Sequence, residues 1–231
     1  MVEQAMSTRT LVLIGGSEWM PGCEALDLWW GSRAARKAVT VVTTAAQDGP
    51  ERAMRRAEGY FSSIGFAADH CRIQTAKDAE DPRLLGVLSQ ATAIFLCGGD
   101  PSAARRVLVG SPAGRLLLDR YREGVPLVGS SAGAMVLAGA CLVPSQHFAV
   151  QPGLGIVPRV LVVPHWNSAG AEWRRRVHEL VDQYEVLAVD ELTGVCWDGT
   201  SWSVLGAGSA CVATSTAELV AGGGIPSPPI E

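Results

Sequence analysis

The 231-residue sequence contains no stretch that reads as a membrane-spanning helix. Its one long uncharged stretch, residues 125–144, is framed by prolines and holds Ser130, Ser131 and several Gly and Ala residues. That pattern fits a strand, a tight turn and a buried helix. A basic stripe is also missing: the formal net charge is -4, and Lys and Arg are scattered apart from the short run Arg174-Arg175-Arg176. Nucleic acid and anionic membrane surfaces are therefore not expected partners. There is no CxxC pair. Cys23, Cys71, Cys97, Cys141, Cys196 and Cys211 lie far apart, mostly inside apolar segments such as IFLC and GVCW, and read as buried free thiols in a reducing compartment rather than as a metal site or disulfide framework. No phosphate-cradling loop follows the first apolar run, which argues against an FMN-binding flavodoxin-like protein. No internal repeat is visible. The run at 11–14 is short, follows a mixed polar stretch and is soon followed by Glu18, so it reads as a first strand rather than a signal peptide, and the expected location is the cytoplasm.

What is present is a globular composition. Hydrophobic residues make up 48% and charged residues 18%, well away from the signature of disorder. A chain of this length can bury one substantial core, and a single domain over residues 9–222 is expected. Residues 1–8 and 223–231 carry no apolar periodicity and are expected to be flexible tails.

Short β-rich runs recur at 11–16, 39–44, 93–99, 125–130, 160–165 and 186–191. Continuous apolar strands of this kind suit a parallel sheet covered by helices on both faces. Between them, Ala53, Met54, Ala57, Tyr60, Phe61 and Ile64 recur at helical spacing, as do Leu117, Leu118 and Tyr121. Asp100-Pro101 and Ser111-Pro112 each set a capping side chain before a proline suited to a first helical turn. The alternation predicts a doubly wound α/β fold with a mostly parallel sheet, whose ligands bind beyond the carboxyl ends of the strands. After Glu191 the segments GVCWDG, SWSVLG and CVAT predict a small antiparallel extension.

The segment VPLVGSSAGA, from Val125 to Ala134, runs a buried strand into Gly129-Ser130-Ser131-Ala132-Gly133. This fits G-x-S-x-G, in which small residues two places either side of a serine permit the sharp turn that exposes its hydroxyl. Ser131 fits the frame. With Ser130 at the centre, the β-branched Val128 would crowd the turn, so Ser130 takes a supporting place. The elbow opens a helix, so the N–H of Ala132 is set to face an oxyanion formed on attack by Ser131. A serine hydroxyl needs a neighbouring base, and only four histidines are available: His70, His147, His165 and His178. His165 ends the run VLVVPH at the expected carboxyl edge of the sheet and ranks first. His147, which follows the helix after the elbow, ranks second, whereas His70 sits in a polar segment and His178 on a charged helix. Asp190 and Glu191, closing VLAVDE, both qualify as the carboxylate that orients the imidazole. Gly98-Gly99 closes another strand, and its small residues allow the Gly99 N–H to complete an oxyanion hole. Asp100 reads more simply as a helix cap.

These residues resemble a known family, the serine peptidases that include aspartyl dipeptidase (peptidase E) and cyanophycinase. The resemblance is carried, in the family's order, by LIGGSE, VVTTAA, FLCGGD, GSSAGAM, GLGIVP, PHW and VDELTG, from Leu11 to about Gly199. It implies a fold like that of class I glutamine amidotransferases and a triad in the order Ser, His, Glu: Ser131, His165 and Glu191, with the Gly99 and Ala132 amides on the oxyanion. The order differs from that of ordinary α/β-hydrolases, since no histidine follows Glu191. Cyanophycinases carry a DQHF-type segment where this chain has Val163-Pro164-His165-Trp166, closer to the dipeptidase form. Dipeptidase members hold an acidic N-terminal side chain with basic residues, a role for which Arg174, Arg175 and Arg176 are candidates by nearness to His165, the alternative being a solvated helix face; Trp166, which otherwise simply packs, and Asp100 are further candidates to line the substrate site. The expectation is a serine hydrolase of this kind acting on a small peptide or isopeptide bond without cofactor or metal, as a monomer or homodimer. An esterase or amidase on a small acyl substrate, and a noncatalytic binding protein of the same fold, are the alternatives.

Overall fold

The computed structural model describes residues 9–143, 149–213 and 229. The expected tails, apart from residue 229, and His147 lie outside the described residues. Among the described residues twelve strands and seven α-helices follow in chain order: β1 Leu11–Ile14, α1 Glu24–Gly31, β2 Ala38–Val42, α2 Pro50–Ser63, β3 Ala67–Cys71, α3 Pro82–Ser89, β4 Ile94–Leu96, α4 Pro101–Leu108, α5 Pro112–Arg122, β5 Leu127–Ser130, α6 Ala132–Leu137, β6 Ala138–Val143, β7 Ala149–Pro152, β8 Val157–Val163, α7 Ala171–His178, β9 Glu185–Val189, β10 Thr193–Trp197, β11 Trp202–Gly206 and β12 Ala210–Ala213. The expected capping pairs start their helices: Asp100 accepts from the Ser102 N–H at 2.8 Å and Ser111 from the Gly114 N–H at 3.1 Å.

Seven strands form the main sheet in the order β11-β10-β1-β5-β4-β2-β3. From β1 to β3 every pairing is parallel, and β10 and β11 add antiparallel strands beyond β1. The alternation of strand side chains explains the covering layers. Leu11, Leu13, Ile94, Leu96 and Leu127 face a core completed by Leu88, Leu108, Leu117 and Tyr121 of α3, α4 and α5. Val12, Ile14, Val39, Val41, Phe95 and Val128 face the other side, where α1 supplies Leu26 and Trp30 and α2 supplies Met54, Ala57 and Phe61. The buried Asp27 carboxylate ties those two helices together, accepting from the Trp30 indole N–H at 2.8 Å and the Tyr60 hydroxyl at 2.7 Å.

The runs expected at 160–165 and 186–191 are strands β8 and β9, but they belong to a second, five-stranded sheet, β12-β9-β8-β6-β7. This sheet exists because α6 stops after Leu137 and the chain turns at once into β6, so the apolar stretch read as a helix is half strand. Met135, Leu161, Trp166, Val177 and Val186 form its own core. The antiparallel extension is divided: β10 and β11 lengthen the main sheet, and β12 pairs with β9. β8 and β9 therefore bring their carboxyl ends to the end of β1 from a separate layer.

Candidate active site

The elbow forms where the small residues predict it. Ser131 follows β5 with φ 48° and ψ -112°, a strained backbone for a residue with a side chain, costing on the order of 1–3 kcal/mol. The turn is close enough that a Cβ on Gly129 would meet the Gly133 carbonyl at 2.7 Å, and one on Gly133 would meet the Leu96 carbonyl oxygen at 2.2 Å. Only glycine fits both places. Ser130 is fully buried with its hydroxyl on Glu18, while the Ser131 side chain faces a cavity of about 470 Å³.

His165 lies two residues beyond β8, with its backbone in the left-handed region at φ 55° and its N–H donating to the Gly15 carbonyl at 2.8 Å. That bond docks the histidine on the end of β1. The ring rests on Gly16, where a Cβ would fall 2.2 Å from the ring Cε1. The Ser131 Oγ and His165 Nε2 stand 2.9 Å apart, and His165 Nδ1 stands 2.8 Å from Glu191 Oε1. The two carboxylates left open by the sequence are separated by geometry. Asp190 turns to Ser209, accepting from its N–H and its hydroxyl at 2.9 Å each. Glu191 faces the imidazole, and its own N–H is held by Asn167 Oδ1 at 3.1 Å.

The amides expected beside the hydroxyl are also arranged. Among the described residues Cys97, Gly98 and Asp100 each spend their N–H on a protein acceptor (Val42 O, Glu18 Oε1 and Ala45 O), whereas the Gly99 N–H donates to no protein group. Ala132 stands at the first position of α6, where N–H groups lack an intrahelical acceptor. The Cys97 thiol beside them is buried, which pushes it up to about 12 and keeps it protonated.

Not every expected residue reaches the cavity. Asp100 lines it while capping α4. Trp166 and Arg174 do not line it: Trp166 is buried in the core of the second sheet, and Arg174 stacks on its ring and donates to the carbonyls of Trp166 and Ala169 at 2.7 and 3.1 Å. Arg175 and Arg176 pair with Glu172 and Glu179 on the exposed side of α7. The cations that line the cavity are Arg52 and Arg56, one turn apart on α2. From sequence they look like any solvated helix face. Glu18, also on the wall, closes the family-like segment LIGGSE, but nothing in the sequence gives it a role until its two hydrogen bonds, from Gly98 and Ser130, are seen. Of the other histidines, His70 lies on β3 against Thr43 at 2.8 Å, and His178 ends α7.

A half-buried elbow serine facing a cavity, an imidazole and a carboxylate in file at the carboxyl edge of an α/β sheet are the parts of serine-type acyl transfer. The chain is a serine-type peptidase. The sequence model of peptidase family S51 matches residues 11–205, and the chain belongs to that family. It is similar to a cyanophycinase from Trichormus variabilis, 26% identical over 230 residues that cover 92% of this chain and 76% of that protein. It is also similar to a cyanophycinase from Synechococcus elongatus, 30% identical over 222 residues that cover 87% of this chain and 67% of that protein. Among solved structures, a peptidase from an acI-B1 Actinobacterium superposes with a TM-score of 0.80 at 23% identity, over 97% of this chain and 99% of that one. A putative peptidase E from Listeria monocytogenes superposes at 0.66 with 16% identity, over 87% and 100%. These two likenesses concern the fold.

Proposed function

We propose that the chain hydrolyses a peptide or isopeptide bond in a small peptide, with Ser131 as nucleophile, His165 as general base and Glu191 as the acid that orients it. The observation that carries this reading is the unbroken hydrogen-bond file from the Ser131 hydroxyl through His165 to Glu191, at 2.9 and 2.8 Å. In the first step Oγ of Ser131 bonds to the scissile carbonyl carbon while its proton passes to Nε2 of His165. The Gly99 and Ala132 amides receive the oxyanion. The imidazolium returns the proton to the leaving amine as the carbon–nitrogen bond breaks. Water, deprotonated by His165, then attacks the acyl-enzyme, and the imidazolium returns that proton to the Ser131 Oγ as the acyl–oxygen bond breaks. Glu191 holds the proton-bearing Nδ1 toward itself and stabilises the imidazolium at each stage.

The cavity wall favours a peptide over a simple ester. Glu18, Gln47, Asp48, Arg52, Arg56 and Asp100 make it polar and charged of both signs, which suits a substrate with charged groups at fixed places. Arg52 and Arg56 take the place expected of Arg174 as the cations facing substrate. The cyanophycinase relatives and the peptidase E fold support peptide cleavage and leave the side-chain preference to experiment. Wild type and Ser131→Ala are assayed with aspartyl dipeptides, p-nitrophenyl esters and a short-peptide library read by mass spectrometry. The reading requires peptide products from wild type and their loss by roughly 10⁴-fold or more in the variant. Equal product from both proteins rejects it, and turnover of esters alone favours the esterase.

A further inference from the structure

We propose that Glu18 is a positioning residue that locks the Gly98-Gly99 turn against the serine elbow, an inference that rests on Ser131 being the nucleophile. The two segments that must stay in register for acyl transfer come from different strands. Gly99 follows β4 and Ser131 follows β5. Glu18 comes from a third place, the loop after β1, and its carboxylate spans both: Oε1 accepts from the Gly98 N–H at 2.8 Å and Oε2 from the Ser130 hydroxyl at 2.8 Å. Each bond lands one residue before a residue of the proposed machinery. Fixing the Gly98 N–H sets the Cys97–Gly98 peptide unit, one unit before that carrying the Gly99 N–H, and fixing Ser130 sets the residue on which the strained Ser131 turn begins.

Four features make this a built bridge rather than a chance contact. The Ser130 side chain is fully buried, so its hydroxyl has the carboxylate as partner in place of water. Gly98 is pressed between the two groups: a Cβ there would stand 3.0 Å from Glu18 Oε1 and 3.3 Å from the Ser131 Cβ. The rest of the turn is pinned from another side, by Asp100 N–H to Ala45 O at 2.8 Å, which leaves the Gly98 end to Glu18. Among the described residues no Lys, Arg or His pairs with Glu18, so its acceptors serve these two donors and not a cation. A charged acceptor makes hydrogen bonds about twice as strong as a neutral one, which suits a link that must resist the motion of two loops.

The test uses a fluorophosphonate, whose phosphorus bonds to the Ser131 oxygen as fluoride leaves and the hydroxyl proton passes to His165. Its phosphoryl oxygen needs the same amides as an oxyanion. Labelling rates are resolved into maximal rate and half-saturation for wild type, Glu18→Ala, Glu18→Gln and Ser130→Ala, with thermal melts of each. Glu18→Ala is expected to lower the maximal rate by about 10²-fold with half-saturation within about threefold, the scale of a misplacement near 1 Å. Glu18→Gln is expected to restore the rate to within about tenfold of wild type, since its amide oxygen accepts from Gly98 and its NH₂ donates to a rotated Ser130 hydroxyl. Ser130→Ala, which removes one arm and keeps the fold if Glu18→Ala does not, is expected to lose about tenfold in maximal rate. The proposal is overturned if Glu18→Ala, or Ser130→Ala in its stead, labels at the wild-type maximal rate. It is equally overturned if the Gln variant is as slow as the Ala variant, or if the whole loss falls in half-saturation. Failure of wild type to label contradicts instead the assignment of Ser131.

Discussion

Replacing Gly16 with alanine tests the site through a single methyl group set against the imidazole. The new Cβ would lie 2.2 Å from His165 Cε1, 2.7 Å from Nδ1 and 2.9 Å from Nε2. Restoring ordinary contact at 3.4 Å requires the ring edge to retreat by about 1.2 Å. It has little freedom to do so. The His165 backbone is fixed to Gly15, and the ring is held between Ser131 at 2.9 Å and Glu191 at 2.8 Å, so a retreat lengthens at least one of those bonds past useful range. Gly16 also adopts φ 124°, a conformation that resists any side chain. Two effects follow: a loss of stability of about 1–3 kcal/mol, and a loss of serine reactivity of about 10²-fold or more from misplacement of the base. Thermal melts and fluorophosphonate labelling rates measure them separately. A folded Gly16→Ala protein that labels at the wild-type rate refutes the argument, because the imidazole would then not need the position the structure gives it.

Three further outcomes are expected. Glu191→Gln keeps the shape of the site and removes the charge behind the imidazole, so peptide turnover is expected to fall by about 10³- to 10⁴-fold, whereas Asp190→Asn is expected to leave it nearly unchanged. Burial pushes the Asp27 carboxyl up from 3.8 to about 6 against the pull of its bonds from Tyr60 and Trp30. The folded chain thus holds this proton after the unfolded chain has released it, and the contribution of Asp27 to stability declines as pH rises from about 4 to about 6, by on the order of 3 kcal/mol. In Asp27→Asn that component vanishes, so urea unfolding at pH 4 and pH 7 is expected to show the variant gaining on wild type at the higher pH, and parallel pH curves would contradict this. Arg174→Ala is expected to cost about 1–2 kcal/mol in thermal or urea unfolding through its lost bonds to the Trp166 and Ala169 carbonyls, with KM unaltered; a raised KM would return Arg174 to the substrate site.

The elbow was legible in the sequence because its requirement is steric and local: Gly129 and Gly133 are small at the two positions where the chain folds back on itself. His165 was legible because an imidazole at the end of an apolar strand stands out among four candidates. Choosing Glu191 over Asp190 needed either the family likeness or coordinates, because adjacent residues at a turn point in opposite directions and the direction is set by a distant partner, Ser209. The second sheet was hidden by the Ala- and Gly-rich stretch after Ser131, where helix α6 and strand β6 share one apolar composition without a boundary signal. Strand β3 escaped notice because it is an edge strand, half exposed and accordingly polar. Arg174 was misplaced by proximity in sequence. It sits nine residues from His165, but α7 turns its side chain back onto Trp166, and the cavity cations come from α2, more than a hundred residues earlier.

The most direct measurement is the location of a covalent adduct. Wild type treated with a fluorophosphonate, digested and read by tandem mass spectrometry should carry one stoichiometric modification on the hydroxyl of Ser131, with none in His165→Ala over the same time. An unmodified Ser131 in active protein, or an adduct on another side chain that tracks the loss of peptidase activity, would contradict the account.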